Sequence, residues 1–199
     1  MRLGILGGTF DPIHNGHLLF GEEAFRQLNL DKVLFMLTPS PPHKEGNKIA
    51  DLEIRLEMLT AVISDSERFV LSDIEVNRPG PHYTVDTVKL LKQAQPGDEI
   101  IFLMGADSLM DLPEVWHTPQ VFVDACDGLG VFNRAGFNID MEALERKIKG
   151  ITEKTFLLDA ALIDVSSTEI RKRVSAGKSI EDLVPPSVNK IILEKKIYT

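Results

Sequence analysis

The sequence contains two separate groups of residues that are suited to binding phosphate. The first group, residues 7–18, has the sequence GGTFDPIHNGHL. Its glycines allow backbone N–H groups to approach a ligand closely, and Thr9 adds a hydroxyl. His14 and His17 are three residues apart, so at the start of a helix both imidazoles fall on one face, near the positive end of the helix dipole. Residues 7–18 therefore predict an anion site that suits a polyphosphate.

The second group, residues 165–171, has the sequence VSSTEIR. Three consecutive hydroxyl side chains, Ser166, Ser167 and Thr168, stand at a predicted helix start, and Arg171 follows one turn inside the helix. Hydroxyls, backbone N–H groups and a guanidinium together form a second anion site. The same residues also fit a helix that Ser167 simply caps, without a capping box. The presence of two such groups in one chain favours the anion site.

Several familiar sites are excluded or disfavoured. Gly4, Gly7 and Gly8 have the spacing G-x-x-G-G, which matches neither the dinucleotide fingerprint G-x-G-x-x-G nor the Walker pattern. A simple NAD-dependent dehydrogenase and a P-loop kinase are therefore disfavoured. Protein-bound zinc is disfavoured because no H-E-x-x-H pattern occurs. Cys126 is the one cysteine, which excludes an intramolecular disulfide and predicts a structural thiol.

Two loops after predicted strands carry further polar side chains. Residues 38–44, TPSPPHK, present His43 and Lys44 from a loop that its prolines stiffen, and either phosphate binding or an exposed turn fits them. Residues 104–109, MGADSL, combine a glycine that permits close approach with Asp107. That carboxylate would either accept hydrogen bonds from ribose or adenine, or cap a helix.

Three other residues have a plain structural interpretation. Thr84 has the position of a helix N-cap, with Thr87 three residues later. Trp116 fits a core aromatic side chain. Arg134 fits an exposed arginine in a loop. Each of these interpretations stays open beside a role in ligand binding.

The elements that position these groups alternate between strands and helices. Short apolar runs bounded by turn residues predict buried strands at 3–7, 33–37, 69–72, 100–104, 130–132 and 156–158. Segments with helical spacing predict helices at 16–28, 51–64, 84–93, 119–125 and 141–149. This alternation predicts an α/β fold with a doubly wound, mostly parallel sheet. Ligands bind such a sheet at the carboxyl ends of its strands, where the polar loops lie.

The pattern changes near residue 164, where a polar turn is followed by short helical segments at 169–175, 180–183 and 187–196. We therefore expect residues 1–199 to form a single domain, with 164–199 as a small helical C-terminal subdomain packed against the sheet.

Composition narrows the class of protein. The 199 residues include 22 Lys and Arg against 30 Asp and Glu, for a net charge of −8. Charged residues at 26% and apolar residues at 43% are typical of a globular chain. The acidic balance argues against the broad basic surface of a nucleic-acid binder. Neither a signal peptide nor a membrane span is apparent, which predicts a soluble cytoplasmic protein without a membrane partner. A homo-oligomer is left open.

Residues 8–17, GTFDPIHNGH, resemble the signature of the nucleotidyltransferase superfamily whose motif is written HxGH. The full string, with Gly7-Gly8 and a histidine at position 14, resembles the bacterial nicotinate-nucleotide adenylyltransferases. The segments PPHK, Y-T, G-x-D-x-L, R-x-G-F and S-S-T-x-I-R also resemble segments of that family. The resemblance implies a Rossmann-like nucleotidyltransferase fold. It also implies adenylyl transfer from ATP to nicotinate mononucleotide, which gives nicotinate adenine dinucleotide and pyrophosphate in NAD biosynthesis.

The resemblance also implies a role for each candidate residue. The implied catalytic residues are His14, His17, Lys44 and Arg171. The implied ATP-binding residues are Gly7, Gly8, Thr9, Phe10, Gly105, Asp107, Ser166, Ser167 and Thr168. The implied acceptor-binding residues are His43, Tyr83, Thr84, Trp116 and Arg134. Mg²⁺ would accompany ATP, held by substrate phosphates and water rather than by protein ligands.

Two alternative functions stay open. The first is another HxGH adenylyltransferase, such as pantetheine-phosphate adenylyltransferase, although that family usually has threonine where this chain has His14. The second is a nucleotide-binding regulatory protein that keeps the fold without the chemistry.

Overall fold

The computed structural model describes residues 1–39, 49–132, 139–159 and 165–199. Within these residues, six strands form one sheet in the order β3-β2-β1-β4-β5-β6, and every neighbouring pair is parallel. The strands are β1 (Arg2–Gly8), β2 (Lys32–Leu37), β3 (Phe69–Ser72), β4 (Glu99–Gly105), β5 (Gly128–Phe132) and β6 (Thr155–Leu158). The fold is a doubly wound, Rossmann-like parallel sheet, as predicted.

Helices cover both faces of the sheet. They are α1 (Asn15–Gln27), α2 (Leu52–Ile63), α3 (Thr84–Ala94), α4 (Ala106–Val115), α5 (Pro119–Ala125), α6 (Met141–Lys147), α7 (Ile151–Lys154), α8 (Ser167–Ser175) and α9 (Pro186–Lys195). Strand residues alternate between two apolar clusters. In β4, Ile101 and Leu103 belong to one cluster, and Ile100 and Phe102 belong to the other. Because successive side chains point to opposite faces, the central strands are buried on both sides, which explains their nearly continuous apolar sequences.

The predicted strands agree with the structure to within two residues at each end, whereas three helical segments differ. Helix α4 follows β4 directly, and the sequence pattern did not indicate it because Pro113 lies inside it. Helix α7 is a single short turn before β6. The helix predicted at 180–183 is wrong: the N–H groups of Leu183 and Val184 both donate to Ile180, which forms a turn. Prolines at 185 and 186 restrict the residues just before them from continuing as a helix.

The helices after residue 164 pack on the face of the sheet that holds α1 and α2. Ile170 of α8 and Val188 of α9 belong to the same apolar cluster as Phe10 and Phe35. Helix α9 packs against α2, and Lys195 pairs with Glu57 across that contact at 3.1 Å. The description of 164–199 as a subdomain stays a prediction.

Cys126 lies in the opposite apolar cluster and is buried. Burial raises the pKa of this thiol to about 12, so it stays protonated and unreactive at neutral pH, as predicted for a structural thiol.

Among the helices of the described residues, none combines the length and the apolar character that crossing a membrane requires.

Candidate active site

A cleft of about 560 Å³ lies along the carboxyl edge of the sheet. In the strand registers, Gly8 of β1 lies opposite Leu37 of β2, and Gly105 of β4 lies opposite Phe132 of β5. The ends of these four strands therefore meet at one edge. The cleft follows this edge across β1 and β4, where the strand order reverses direction. That reversal is the position at which doubly wound sheets bind ligands.

Four helices begin at this cleft. The residues His14, Thr84, Gly105 and Ser166, which start or cap α1, α3, α4 and α8, all line it. The N-terminus of each helix carries backbone N–H groups without an intrahelical partner and the positive end of a dipole. Convergence of several such ends favours binding of an anion with more than one phosphate group.

The two histidines of the first group lie together at the start of α1. His14 is the N-cap, and His17 is the third helical residue. Their rings stack with centroids 3.7 Å apart and 24° between the ring planes. The backbone N–H of His14 donates to Nδ1 of His17 at 3.3 Å, so a neutral His17 carries its ring proton on Nε2. Both residues line the cleft.

The second group is held against the first by two hydrogen bonds. The Ser167 hydroxyl donates to the carbonyl of Pro12 at 2.9 Å, and Nη1 of Arg171 donates to the carbonyl of Asp11 at 2.8 Å. The cap of α8 is Ser166, whose hydroxyl accepts from the N–H of Glu169. The prediction that Ser167 caps this helix is therefore wrong, because its hydroxyl is bonded to Pro12. Ser166, Ser167, Thr168 and Arg171 all line the cleft, together with Gly7, Gly8 and Thr9.

The glycines of the first group differ in whether protein packing leaves room for a side chain. A Cβ on Gly16 would lie 2.8 Å from Val165, and a Cβ on Gly8 would lie 3.0 Å from the Phe10 ring, so protein packing explains both. A Cβ on Gly7 would meet nothing nearer than Phe102 at 3.6 Å, which is an ordinary contact. The protein does not require glycine at position 7, which favours close approach of a ligand to the backbone there.

The Phe10 side chain does not line the cleft, and the assignment of Phe10 to ATP binding stays a prediction. Its side chain is 1% exposed and packs in the core against Phe35. Its ring also meets the His17 ring in an edge contact, with centroids 5.0 Å apart. The Phe10 ring therefore supports the His17 imidazole from the core.

Asp107 and Thr84 line the cleft but cap no helix. Asp107 is the second residue of α4, which Gly105 caps, and Thr84 is the first residue of α3, which Tyr83 caps. The capping interpretation of both side chains is therefore wrong. Their assignments to ATP binding and to acceptor binding stay predictions.

Trp116 follows α4 and borders both the cleft and a neighbouring groove of about 430 Å³. Its ring meets Phe102 edge-on, with centroids 5.8 Å apart, and Phe122 at 5.0 Å. Tyr83 lines the groove rather than the cleft and stacks on His117, with centroids 4.1 Å apart. Trp116 therefore presents a fixed aromatic surface where the two spaces meet.

The structure describes some, but not all, of the cationic and imidazole side chains among the predicted site residues. His14, His17 and Arg171 line the cleft together. The predicted site residues His43, Lys44 and Arg134 lie outside the described residues.

The chain is similar to known proteins over nearly its whole length. The family model described as cytidylyltransferase-like matches residues 5–173. A Thermomicrobium roseum protein named "Probable nicotinate-nucleotide adenylyltransferase" is 40% identical over 99% of this chain and 91% of its own. A Clostridium botulinum protein of the same name is also 40% identical, over 99% of this chain and 98% of its own. The chain belongs to the nicotinate-nucleotide adenylyltransferase family.

A solved structure extends the likeness to the fold. A Plasmodium falciparum nicotinic acid mononucleotide adenylyltransferase complexed with NaAD matches this chain with a TM-score of 0.82. The match covers 99% of this chain and 97% of that chain, at 22% identity. The fold is therefore shared across most of both chains. Membership of the adenylyltransferase family, shown by the relatives that are 40% identical, makes the chain an enzyme of the nucleotidyltransferase class.

In this adenylyltransferase family member, a buried network that no sequence motif marks supports the loop before Thr84. The Thr87 hydroxyl donates to Oε1 of Glu75 at 2.7 Å and accepts from Nη2 of Arg78 at 3.0 Å. Nη1 of Arg78 donates to the carbonyl of Pro81. Glu75 is 2% exposed and lines the cleft. The network fixes the turn that leads into α3 and thereby places Thr84 at the cleft.

Arg55 of α2 is a second residue that no motif marks. Its buried guanidinium donates to the carbonyls of Thr9, Thr38, Pro39 and Ala50, at 2.7 to 3.0 Å. Burial lowers the pKa of Arg55, although a guanidinium remains charged at neutral pH. One side chain thus joins the loop after β1 to the loop after β2. It stabilises the fold rather than contacting a ligand, since it does not line the cleft.

We expect Arg55→Ala to lower the free energy of unfolding by about 3–5 kcal/mol, because four partly buried carbonyls would lose their donor. Chemical denaturation followed by circular dichroism measures this loss. Arg26→Ala is the matched control, because Arg26 makes a surface pair with Glu23 and its side chain is 70% exposed. The control should show a small fraction of the loss. Equal losses for the two variants would contradict the role of Arg55.

Proposed function

We propose that the protein transfers the adenylyl group of ATP to nicotinate mononucleotide, giving nicotinate adenine dinucleotide and pyrophosphate in NAD biosynthesis. The observation that carries this proposal is the junction of the two predicted phosphate-binding groups in one cleft, with Ser167 and Arg171 bonded to the loop that precedes His14. Trp116, which borders the same cleft, supplies a surface for a pyridine ring. Membership of the nicotinate-nucleotide adenylyltransferase family supports the same acceptor.

The proposed reaction is an in-line displacement at the α-phosphorus of ATP. The 5′-phosphate oxygen of the acceptor forms a bond to that phosphorus, and the bond to the oxygen that bridges the α- and β-phosphates breaks. Pyrophosphate leaves with the electron pair of that bond. The acceptor phosphate is already an anionic nucleophile at neutral pH, so no general base is required. Catalysis therefore depends on positioning the two substrates and on stabilising the charge that develops.

Each lining residue has a proposed part in that stabilisation. His14 and His17 would donate to oxygens of the α- and β-phosphates. Arg171 and the N-terminus of α8 would neutralise the outer phosphates and the departing pyrophosphate, and Lys44 is proposed to assist there. The ATP-binding set would also include Gly7, Gly8, Thr9, Phe10, Gly105, Asp107, Ser166, Ser167 and Thr168. The acceptor-binding set would include His43, Tyr83, Thr84, Trp116 and Arg134.

Mg²⁺ is proposed to enter as part of the ATP substrate. Among residues 1–39, 49–132, 139–159 and 165–199, no group of three or more His, Cys, Asp or Glu side chains could hold a metal ion. Phosphate oxygens and water are the ligands that Mg²⁺ prefers in phosphoryl-transfer sites. A magnesium ion bound in this way would neutralise charge on the triphosphate.

Two properties stay predictions from the sequence. The first is the cytoplasmic location together with the absence of nucleic-acid and membrane partners. The second is the oligomeric state, for which a homo-oligomer remains open.

The proposed function is tested by measuring pyrophosphate release from MgATP with three acceptors in parallel: nicotinate mononucleotide, nicotinamide mononucleotide and phosphopantetheine. We expect the highest kcat/KM with nicotinate mononucleotide. A preference for phosphopantetheine would support the alternative adenylyltransferase. Binding of ATP without pyrophosphate release from any acceptor would support a regulatory protein. His17→Asn provides the background rate, because it retains the fold and removes a proposed phosphate contact.

A further inference from the structure

Tyr198 lies after α9, far in sequence from the loop that leads to His14 and His17. Its side chain nevertheless reaches that loop. Its hydroxyl donates to Oδ1 of Asp11 at 2.6 Å, across 187 positions of the chain. Asp11 is 2% exposed, and the Tyr198 ring packs against the apolar cluster that contains Phe10. Burial and the Asp11 carboxylate both raise the pKa of Tyr198, so the phenol remains a hydrogen-bond donor at neutral pH.

The carboxylate of Asp11 has distinct partners on its two oxygens. Oδ1 accepts from the Tyr198 hydroxyl and from the backbone N–H of Ala50 at 3.1 Å. Oδ2 lies 3.6 Å from Nη1 of Arg171, too far for a good hydrogen bond. That nitrogen donates instead to the backbone carbonyl of Asp11 at 2.8 Å. The carboxylate is therefore held through Oδ1, whereas Oδ2 forms a long ion pair with Arg171 and no short hydrogen bond to it.

The orientation of this carboxylate matters because Arg171 lines the cleft. A buried carboxylate that loses a strong donor must recover the lost interaction from another group. Among the described residues, the side-chain cation that forms an ion pair with Asp11 is Arg171, and a carboxylate can bond a guanidinium through two oxygens. An Arg171 engaged in that way would neutralise less charge on a bound triphosphate.

We propose that Tyr198 is a positioning residue for adenylyl transfer, which holds Asp11 through Oδ1 and thereby leaves Arg171 directed toward the triphosphate. This inference rests on the proposed function, because it requires Arg171 to contact ATP. The ring of Tyr198 fills the apolar cluster, and its hydroxyl sets the orientation of Asp11.

The test replaces Tyr198 with phenylalanine and measures steady-state kinetics with both substrates. Tyr198→Phe keeps the ring and removes the hydroxyl. We expect KM for ATP to rise about fivefold to tenfold, the effect of losing one hydrogen bond of ordinary strength. KM for nicotinate mononucleotide should stay within about twofold, and the melting temperature should fall by about 5 °C or less. Thr199→Ala is the matched control, because its hydroxyl bonds only to the carbonyl of Lys196 among the described residues.

A double-mutant cycle decides whether Tyr198 acts through Asp11. In an Asp11→Asn background, the side chain at position 11 has no carboxylate that could pair with Arg171. Tyr198→Phe should then change KM for ATP by less than about twofold. An equal rise in KM for ATP in both backgrounds would overturn the inference. A lower kcat with both KM values unchanged would also overturn it, because a purely structural role predicts that result. A wild-type chain that releases no pyrophosphate would overturn the proposed function, whereas an active wild type with an unaffected Tyr198→Phe variant would overturn this inference alone.

Discussion

His17→Ala should lower kcat for pyrophosphate release by about 10³-fold while the chain remains folded. The expected loss corresponds to about 4 kcal/mol of transition-state stabilisation, the effect of removing a preorganised donor from a site of developing charge. His17 lies at the third position of α1, lines the cleft and stacks on His14. Rapid-quench or coupled pyrophosphate assays measure the rate, and circular dichroism checks the fold. A variant with a near-normal rate would show that the cleft has been assigned to the wrong chemistry.

His17→Asn separates catalysis from helix capping. Nδ1 of His17 accepts the backbone N–H of His14, so alanine removes a cap as well as the proposed phosphate donor. The asparagine carboxamide oxygen can occupy the position of Nδ1, although its side chain cannot reach the position of Nε2. We expect both variants to lose turnover. Only His17→Ala should also lose about 1 kcal/mol of stability, the usual effect of deleting a helix cap.

The layout of the fold was predictable because its signals are local. The central strands are buried on both faces, so their sequences are continuous apolar runs that stand out between polar turns. Helix α4 was not predictable in this way. It begins without a loop after β4 and contains Pro113, whose missing N–H argues against a helix in the sequence alone. At 180–183 the sequence instead suggested a helix that does not form. Apolar spacing indicated a helix there, but too few residues precede the prolines to form one.

The candidate site was predictable where neighbouring residues form it. His14 and His17 meet because three positions on a helix bring side chains together. The cap of α8 was predicted one residue away from its observed position, at Ser167 rather than Ser166. A run of hydroxyls indicates a helix start, but which hydroxyl caps it depends on a distant partner. Here that partner is Pro12, which binds the Ser167 hydroxyl.

The supporting residues were not predictable because their partners are remote in sequence. Glu75 meets Thr87 across 12 positions, and Tyr198 meets Asp11 across 187. Neither pair has a spacing that a helix or a strand would impose. Arg55 resembles any arginine in an amphipathic helix until the loops that it bonds are placed. The chemistry of the cleft thus follows from local motifs, whereas its rigidity follows from tertiary contacts.

Trp116→Ala should raise KM for nicotinate mononucleotide by about 30-fold to 100-fold and leave KM for ATP within about twofold. The pyridine ring of this substrate carries a positive charge, and an aromatic face attracts cations. Trp116 is fixed against Phe102 and Phe122 and borders the cleft, so little entropy is lost when a ring stacks on it. Initial-rate measurements with each substrate varied in turn give both constants.

Trp116→Phe distinguishes stacking from packing. Phenylalanine retains an aromatic face, but the negative potential of that face is weaker than that of tryptophan. KM for nicotinate mononucleotide should therefore rise by only about threefold to tenfold. Trp116→Ala also removes the contact with Phe122, and this loss should lower the melting temperature without favouring one substrate over the other. Because a packing defect acts on the whole cleft, equal increases in the two KM values for Trp116→Ala would show that Trp116 holds α5 in place. Selective loss of the acceptor, partly restored by phenylalanine, would place the pyridine ring against the indole.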